Sequence, residues 1–138
     1  MHELQKSLYQ LLQSRELFAY RFFRNAEGRP WRLREYQRAS LESHALRKVH
    51  CDGRDVGKTT EIEIIACWAM VCMPGTSMLI ATQCENHLFP VMNRLVRRFE
   101  TSPEFSGNIA ELRRSPSYFI RFNNGFILWG RIAGPRGI

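Results

Sequence analysis

Cys51-Asp52-Gly53-Arg54-Asp55-Val56-Gly57-Lys58-Thr59-Thr60 is the stretch on which the reading of this chain turns. Gly57-Lys58-Thr59 has the chemistry of a phosphate-binding loop. A glycine lets the backbone aim its N–H groups at phosphate oxygens, a lysine reaches the β/γ oxygens, and a hydroxyl is placed to ligate Mg²⁺. Around it, Leu46 to Cys51 reads as a short strand entering the loop and Thr59 to Met73 as a helix leaving it, its positive end toward the ligand. The usual pattern places a glycine five residues before Gly57, where this chain has Asp52, with the glycine one later at Gly53. Three residues of this kind also suit an ordinary solvated helix start. The expected strand before and helix after favour the phosphate reading.

Upstream, residues 2–24 carry Leu4, Leu8, Leu11, Leu12, Phe18, Phe22 and Phe23 at helical spacing, which predicts one amphipathic helix or two in succession. Glu27-Gly28-Arg29-Pro30 ends that segment. Trp31-Arg32-Leu33-Arg34-Glu35-Tyr36-Gln37 follows, with a helix expected over Arg38 to His44. A glutamine amide offers one donor and one acceptor, the complement of the adenine N6/N7 edge, and Tyr36 or Trp31 could cover the base. Gln37 is thus the candidate for adenine recognition, the alternative being an exposed Gln at the start of a core helix.

Downstream of the loop helix, whose inner side is expected to carry Ile62, Ile65, Ala66, Ala69 and Met70, Pro74-Gly75 makes a break. Ser77 to Thr82 is short, apolar and bounded by turn signals, the pattern of a buried parallel strand. Glu85 to Thr101 is the clearest helix: Leu88, Val91, Met92, Leu95, Val96 and Phe99 form one stripe, with Arg94, Arg97 and Arg98 largely off it. Ser102 to Arg114 reads as a loop. Tyr118–Phe122 and Phe126–Ile132 flank Asn123-Asn124-Gly125, a strong hairpin signal because Asn-Gly tolerates φ > 0. The order strand, loop, helix, strand, helix is that of a doubly wound α/β domain with its ligand at the C-terminal strand ends.

Bulk properties narrow the classes. A chain of 138 residues is one domain or part of one, and 44% hydrophobic residues with nine Phe and three Trp suffice for a core. No apolar run approaches a membrane span, so no membrane partner is expected, and the N-terminus lacks a signal-peptide pattern. Cys51, Cys67, Cys72 and Cys84 show neither a CxxC pair nor a histidine at metal spacing, so reduced thiols are expected. The net charge of +7 favours a polyanionic partner, although arginines and lysines also simply solvate helix faces.

The ordered set Leu33-Arg34-Glu35-Tyr36-Gln37, Gly53-Arg54-Asp55-Val56-Gly57-Lys58-Thr59-Thr60, the Leu-Ile-Ala-Thr strand, the Asn-Gly hairpin and the closing Arg-Gly resembles the N-terminal ATPase region of phage terminase large subunits. Those are the motors that package viral DNA. Their phosphate loop is typically deviant in this manner, with an arginine after its first small residue. The resemblance covers roughly residues 31–137. It implies an α/β fold: a partial P-loop NTPase (RecA/ASCE-like) core over 31–138, an N-terminal helical segment over 1–30, and a C-terminal β-hairpin.

By the same resemblance ATP and Mg²⁺ are the cofactors. Gln37 and Tyr36 serve the base, and Gly53, Asp55, Val56, Gly57, Lys58, Thr59 and Thr60 form the cradle. Thr59 also serves the metal. Lys58 and Arg54 face the γ-phosphate, while Arg136 is similar to an arginine that some members offer to a neighbouring subunit. Arg94, Arg97, Arg98, Arg113 and Arg114 are candidates for duplex DNA. Implied partners are double-stranded DNA, the portal, the small terminase subunit and further copies in a ring, in the cytoplasm of a host bacterium. Hydrolysis needs a carboxylate pair on a strand after the hairpin. The acids past residue 60 are Glu61, Glu63, Glu85, Glu100, Glu104 and Glu111; none ends an apolar strand, and Glu61 and Glu63 read as surface charges on the loop helix. The chain therefore reads as the front of a motor ATPase, without its Walker B acids or nuclease domain, and as inactive or poorly active alone. A helicase- or translocase-type RecA-like ATPase and a non-catalytic basic DNA-binding module are the alternatives.

Overall fold

The computed structural model describes residues 2–51, 53, 57–115 and 117–134, without the side chains of 2, 4 and 8. The chain is mixed α/β, with several helices and one four-stranded mixed sheet. It divides into two compact units, Met1–Trp68 and Ala69–Ile138, the division falling inside one helix.

In the first unit the apolar stripe over 2–24 forms two helices, α1 (His2–Gln13) and α2 (Arg15–Phe22). Ser14 separates them as the N-cap of α2: its Oγ accepts from the Leu17 N–H and donates to Glu42 Oε1. The same carboxylate oxygen accepts the Glu16 N–H at 2.7 Å, placing a negative charge on the positive end of α2. Glu42 is the last residue of α3 (Glu35–Glu42), so this contact ties α3 to α2. Arg15 lies over the Trp68 ring at 4.4 Å, and the indole N–H of Trp68 donates to the Leu11 carbonyl. Phe18, Phe23 and Leu41 are fully buried. Between α2 and α3 the chain doubles back. Asn25 N–H donates to the Arg29 carbonyl and Trp31 N–H to the Phe23 carbonyl, with Gly28 at φ +77° in the turn.

The expected strand over Leu46–Cys51 is absent; residues 47–51 pair with no strand. Its spacing explains why. Leu46 would fall on the face opposite Val49 and Cys51 in any strand, so no face gathers enough apolar surface to bury, and Leu46 and Val49 are almost fully exposed.

Helix α4 (Lys58–Cys72) forms where expected, but its inner side differs. Ile64 and Cys67 are fully buried while Ile62 and Ile65 are half-buried. Glu61 and Glu63, expected at the surface, are 7% and 1% exposed. A helix apolar on nearly every side gives periodicity no way to rank its faces, so the acids are misplaced by it.

In the second unit β1 (Ser77–Thr82), β2 (Ile109–Arg113), β3 (Tyr118–Phe122) and β4 (Ile127–Ile132) make a sheet in the order β1-β4-β3-β2. β1 pairs parallel with β4 and the other neighbours are antiparallel. β1 is parallel as expected but not buried: it is an edge strand, with only Ile80 enclosed. α5 (Glu85–Thr101) buries Leu88, Met92, Leu95, Val96 and Phe99, the expected stripe less Val91, which is half-buried. β4 passes close by it, for a Cβ on Gly130 would lie 2.8 Å from Met92 Sδ.

The segment after α5, expected as a loop, holds a short helix α6 (Pro103–Ser106) and β2. Phe105 packs on Phe99 at 6.1 Å, and Glu111 receives Arg113 and Arg121 at 3.2 Å each. The Phe99–Phe105 and Glu111–Arg121 contacts join different elements and leave no periodic trace in the sequence. The hairpin forms with a three-residue loop. Gly125 N–H donates to the Phe122 carbonyl and Phe122 N–H to that of Phe126, and Gly125 at φ +84° supplies the left-handed residue such a loop requires.

Candidate functional site

In the first unit a cleft of about 620 Å³ is lined by residues from three places: Tyr20 of α2, the Asn25–Arg34 turn with Trp31, and Gln37, Gly57 and Thr60. That volume is in the range of small-molecule sites. The structure thus brings Gln37 and the glycine of the loop, 20 residues apart, to one concavity. Tyr36 does not line it. It is about half exposed, and its hydroxyl accepts from Arg34 Nη1 at 2.9 Å.

Gly57 sits at φ +89°, backbone that L side chains rarely adopt, and its carbonyl starts α4 by accepting the Glu61 N–H at 3.1 Å. Lys58 is exposed, and its ammonium curls back to the Gly53 carbonyl at 3.1 Å, closing the loop on itself. Thr59 is half-buried and Thr60 is 9% exposed. Arg54, Asp55, Val56 and Arg136 lie outside the described residues.

Gln37 is 3% exposed, and both ends of its amide are engaged. Oε1 accepts the Arg34 N–H at 3.1 Å, capping α3, and Nε2 donates to the Gly57 carbonyl at 3.4 Å. Gln37 therefore ties the start of α3 to the start of α4. Contact is so close that a Cβ on Gly57 would stand 2.5 Å from Nε2. An i to i+3 cap is legible in Arg34–Gln37; the tie to Gly57 is not.

One exposed ammonium of this unit, that of Lys48, is perturbed. Desolvation, with Arg15 adding to it, pushes the Lys48 amine below 10.5, against the opposing pull of Glu61 and Glu42. Among the described residues no group of three or more His, Cys, Asp or Glu is placed to hold a metal ion. No helix of the described residues is long and apolar enough to cross a membrane.

The candidate DNA arginines fall on α5, on β2 and just past the end of β2, all in the second unit. Arg94 and Arg97 are exposed on α5 and Arg98 half-buried. Arg114 pairs with Glu100 at 3.3 Å, while Arg113 pairs with Glu111 and lies 4.5 Å over the Phe119 ring. Arg131, outside that set, lies 4.7 Å over the Trp129 ring, which meets Phe119 at 4.6 Å; 129 and 131 are alternate positions of one strand and so share a face. Compared with known protein families and with characterised proteins, the chain matches no family model and no relative.

Proposed function

We propose that the chain is the nucleotide-binding front of a DNA-packaging motor of the terminase type. Mg²⁺–ATP would be held at Gly57–Thr60, with duplex DNA as the substrate that is moved. The observation that carries this reading is the convergence of Gln37, Gly57 and Thr60 on one cleft, with Gly57 in left-handed backbone at the start of a long helix. Lys58 would exchange the Gly53 carbonyl for a phosphate oxygen, and Thr59 would offer its hydroxyl to Mg²⁺. No strand leads into the loop; its anchorage to α3 through Gln37 does part of that work.

A titration with fluorescent mant-ATP, with and without Mg²⁺, tests the reading. Binding that needs Mg²⁺ and disappears in Lys58→Ala is expected, and an unchanged dissociation constant in that variant would refute it. The second reading, a basic module that contacts nucleic acid without nucleotide, is favoured by one observation, the missing strand before the loop. It predicts salt-sensitive DNA binding indifferent to ATP and to Lys58.

A further inference from the structure

Resting on the nucleotide reading above, we infer that the cleft takes purine nucleoside triphosphates without selecting adenine over guanine. Discrimination at the purine 6-position needs a fixed acceptor facing the adenine amino group, because guanine carries an acceptor, O6, at the same place. Among the described residues, the side chains that line the cleft supply none. Gln37, the residue whose amide could do it, is engaged at both ends and enclosed. Its oxygen holds the Arg34 N–H, its nitrogen holds the Gly57 carbonyl, and at 3% exposure its edge is closed to a base.

Asn25 is likewise occupied: its Oδ1 accepts both the Glu27 N–H at 3.0 Å and the Arg29 N–H at 2.9 Å. Arg29, Arg32 and Arg34 are donors only. Tyr20 and Thr60 offer hydroxyls, which rotate to donate or accept and so favour neither base. What remains is a donor-rich lining that suits an acceptor-rich, anionic ligand, with Trp31 and Pro30 as apolar wall. Gln37 is then a positioning residue that holds the loop glycine, and its loss should weaken all triphosphates alike.

Displacement of mant-ATP from the whole chain by ATP, GTP and inorganic tripolyphosphate, each with Mg²⁺, tests this. ATP and GTP are expected to compete within about threefold of each other, and tripolyphosphate to compete measurably; a factor of three is about 0.65 kcal/mol. In Gln37→Glu, which keeps the acceptor for the Arg34 N–H and loses the donor to Gly57, the two affinities should fall by the same factor. ATP outcompeting GTP tenfold or more in the wild type would overturn the inference while leaving the nucleotide site intact. So would a change in the ATP-to-GTP ratio in Gln37→Glu. If mant-ATP does not bind at all, the nucleotide reading falls, and the inference with it. The wild-type panel decides the matter even if the variant fails to fold.

Discussion

Replacing Gly57 by alanine probes the junction of cleft and helix in one step. Two costs are written in the geometry. The backbone at φ +89° is strained for any residue with a Cβ, by about 1–2 kcal/mol. The added Cβ would also stand 2.5 Å from Gln37 Nε2, so the amide must withdraw. Withdrawal gives up the bond to the Gly57 carbonyl, worth about 0.5–1.5 kcal/mol, and endangers the cap on the Arg34 N–H. The sum is a loss of about 2–3 kcal/mol, read as a lower urea midpoint at unchanged slope.

A double-mutant cycle with Gln37→Ala separates the terms. Gln37→Ala alone loses the cap and the tie; added to Gly57→Ala it also removes the clash. The two changes should therefore cost less together than the sum of their separate costs, by about 1 kcal/mol, while the φ cost persists. Strict additivity within about 0.3 kcal/mol would refute the claim that Gln37 and Gly57 press on each other. Gly57→Ala as stable as the wild type would refute the left-handed backbone itself.

Lys58→Ala should leave the urea midpoint unchanged, since the side chain is exposed, while abolishing mant-ATP binding; a shifted midpoint would make it a structural residue. Gly130→Ala should cost about 1–3 kcal/mol by crowding Met92, and Met92→Ala should cost less in that background than in the wild type, as thermal melts of the four proteins would show. Glu42→Ala should cost about 1 kcal/mol, because it strips the carboxylate from the start of α2, seen as lost protection of the Glu16 amide in hydrogen exchange. For Lys48 the sign follows from its depressed value: between that value and 10.5 the unfolded chain holds more protons, so the folded state gains stability as pH rises. The stability of the wild type relative to Lys48→Met should accordingly be lowest near neutrality and climb through the alkaline range, as denaturant titrations at several pH values would show.

Legibility of the sequence varied with the range of the contacts involved. α5 and β3–β4 were readable, because their buried positions recur at the period of the element and Gly125 marks the turn. β2 and α6 were not, since Phe105 and Glu111 find partners on α5 and β3 that no local pattern announces. The Leu46–Cys51 strand was an over-reading: proximity to a phosphate-loop pattern suggested it, but the spacing of Leu46 and Val49 denies it an apolar face. At the candidate site the sequence suggests Gln37 as an adenine reader near the loop; the structure places Gln37 and Gly57 on one cleft. The direct bond between them was not foreseeable, since it depends on the φ of Gly57, which sequence permits without dictating.

That bond gives the site a consequence beyond anchoring. A Gln37 amide clamped between the Arg34 N–H and the Gly57 carbonyl transmits any displacement of the loop glycine into the cap of α3. Glu42, at the far end of the same eight-residue helix, caps α2. On the proposed nucleotide reading, a triphosphate that drew the loop toward itself would pull on a chain of three helix termini, joined by polar contacts worth about 1 kcal/mol apiece. Contacts of that size are strong enough to fix the resting arrangement. They are also weak enough for a bound polyanion, whose own charge-assisted bonds are worth more apiece, to rearrange. Nucleotide binding should thus register in amide exchange at Glu16 and Arg34, and silence at both on saturation with Mg²⁺–ATP would show that the loop moves independently of the helices that frame it.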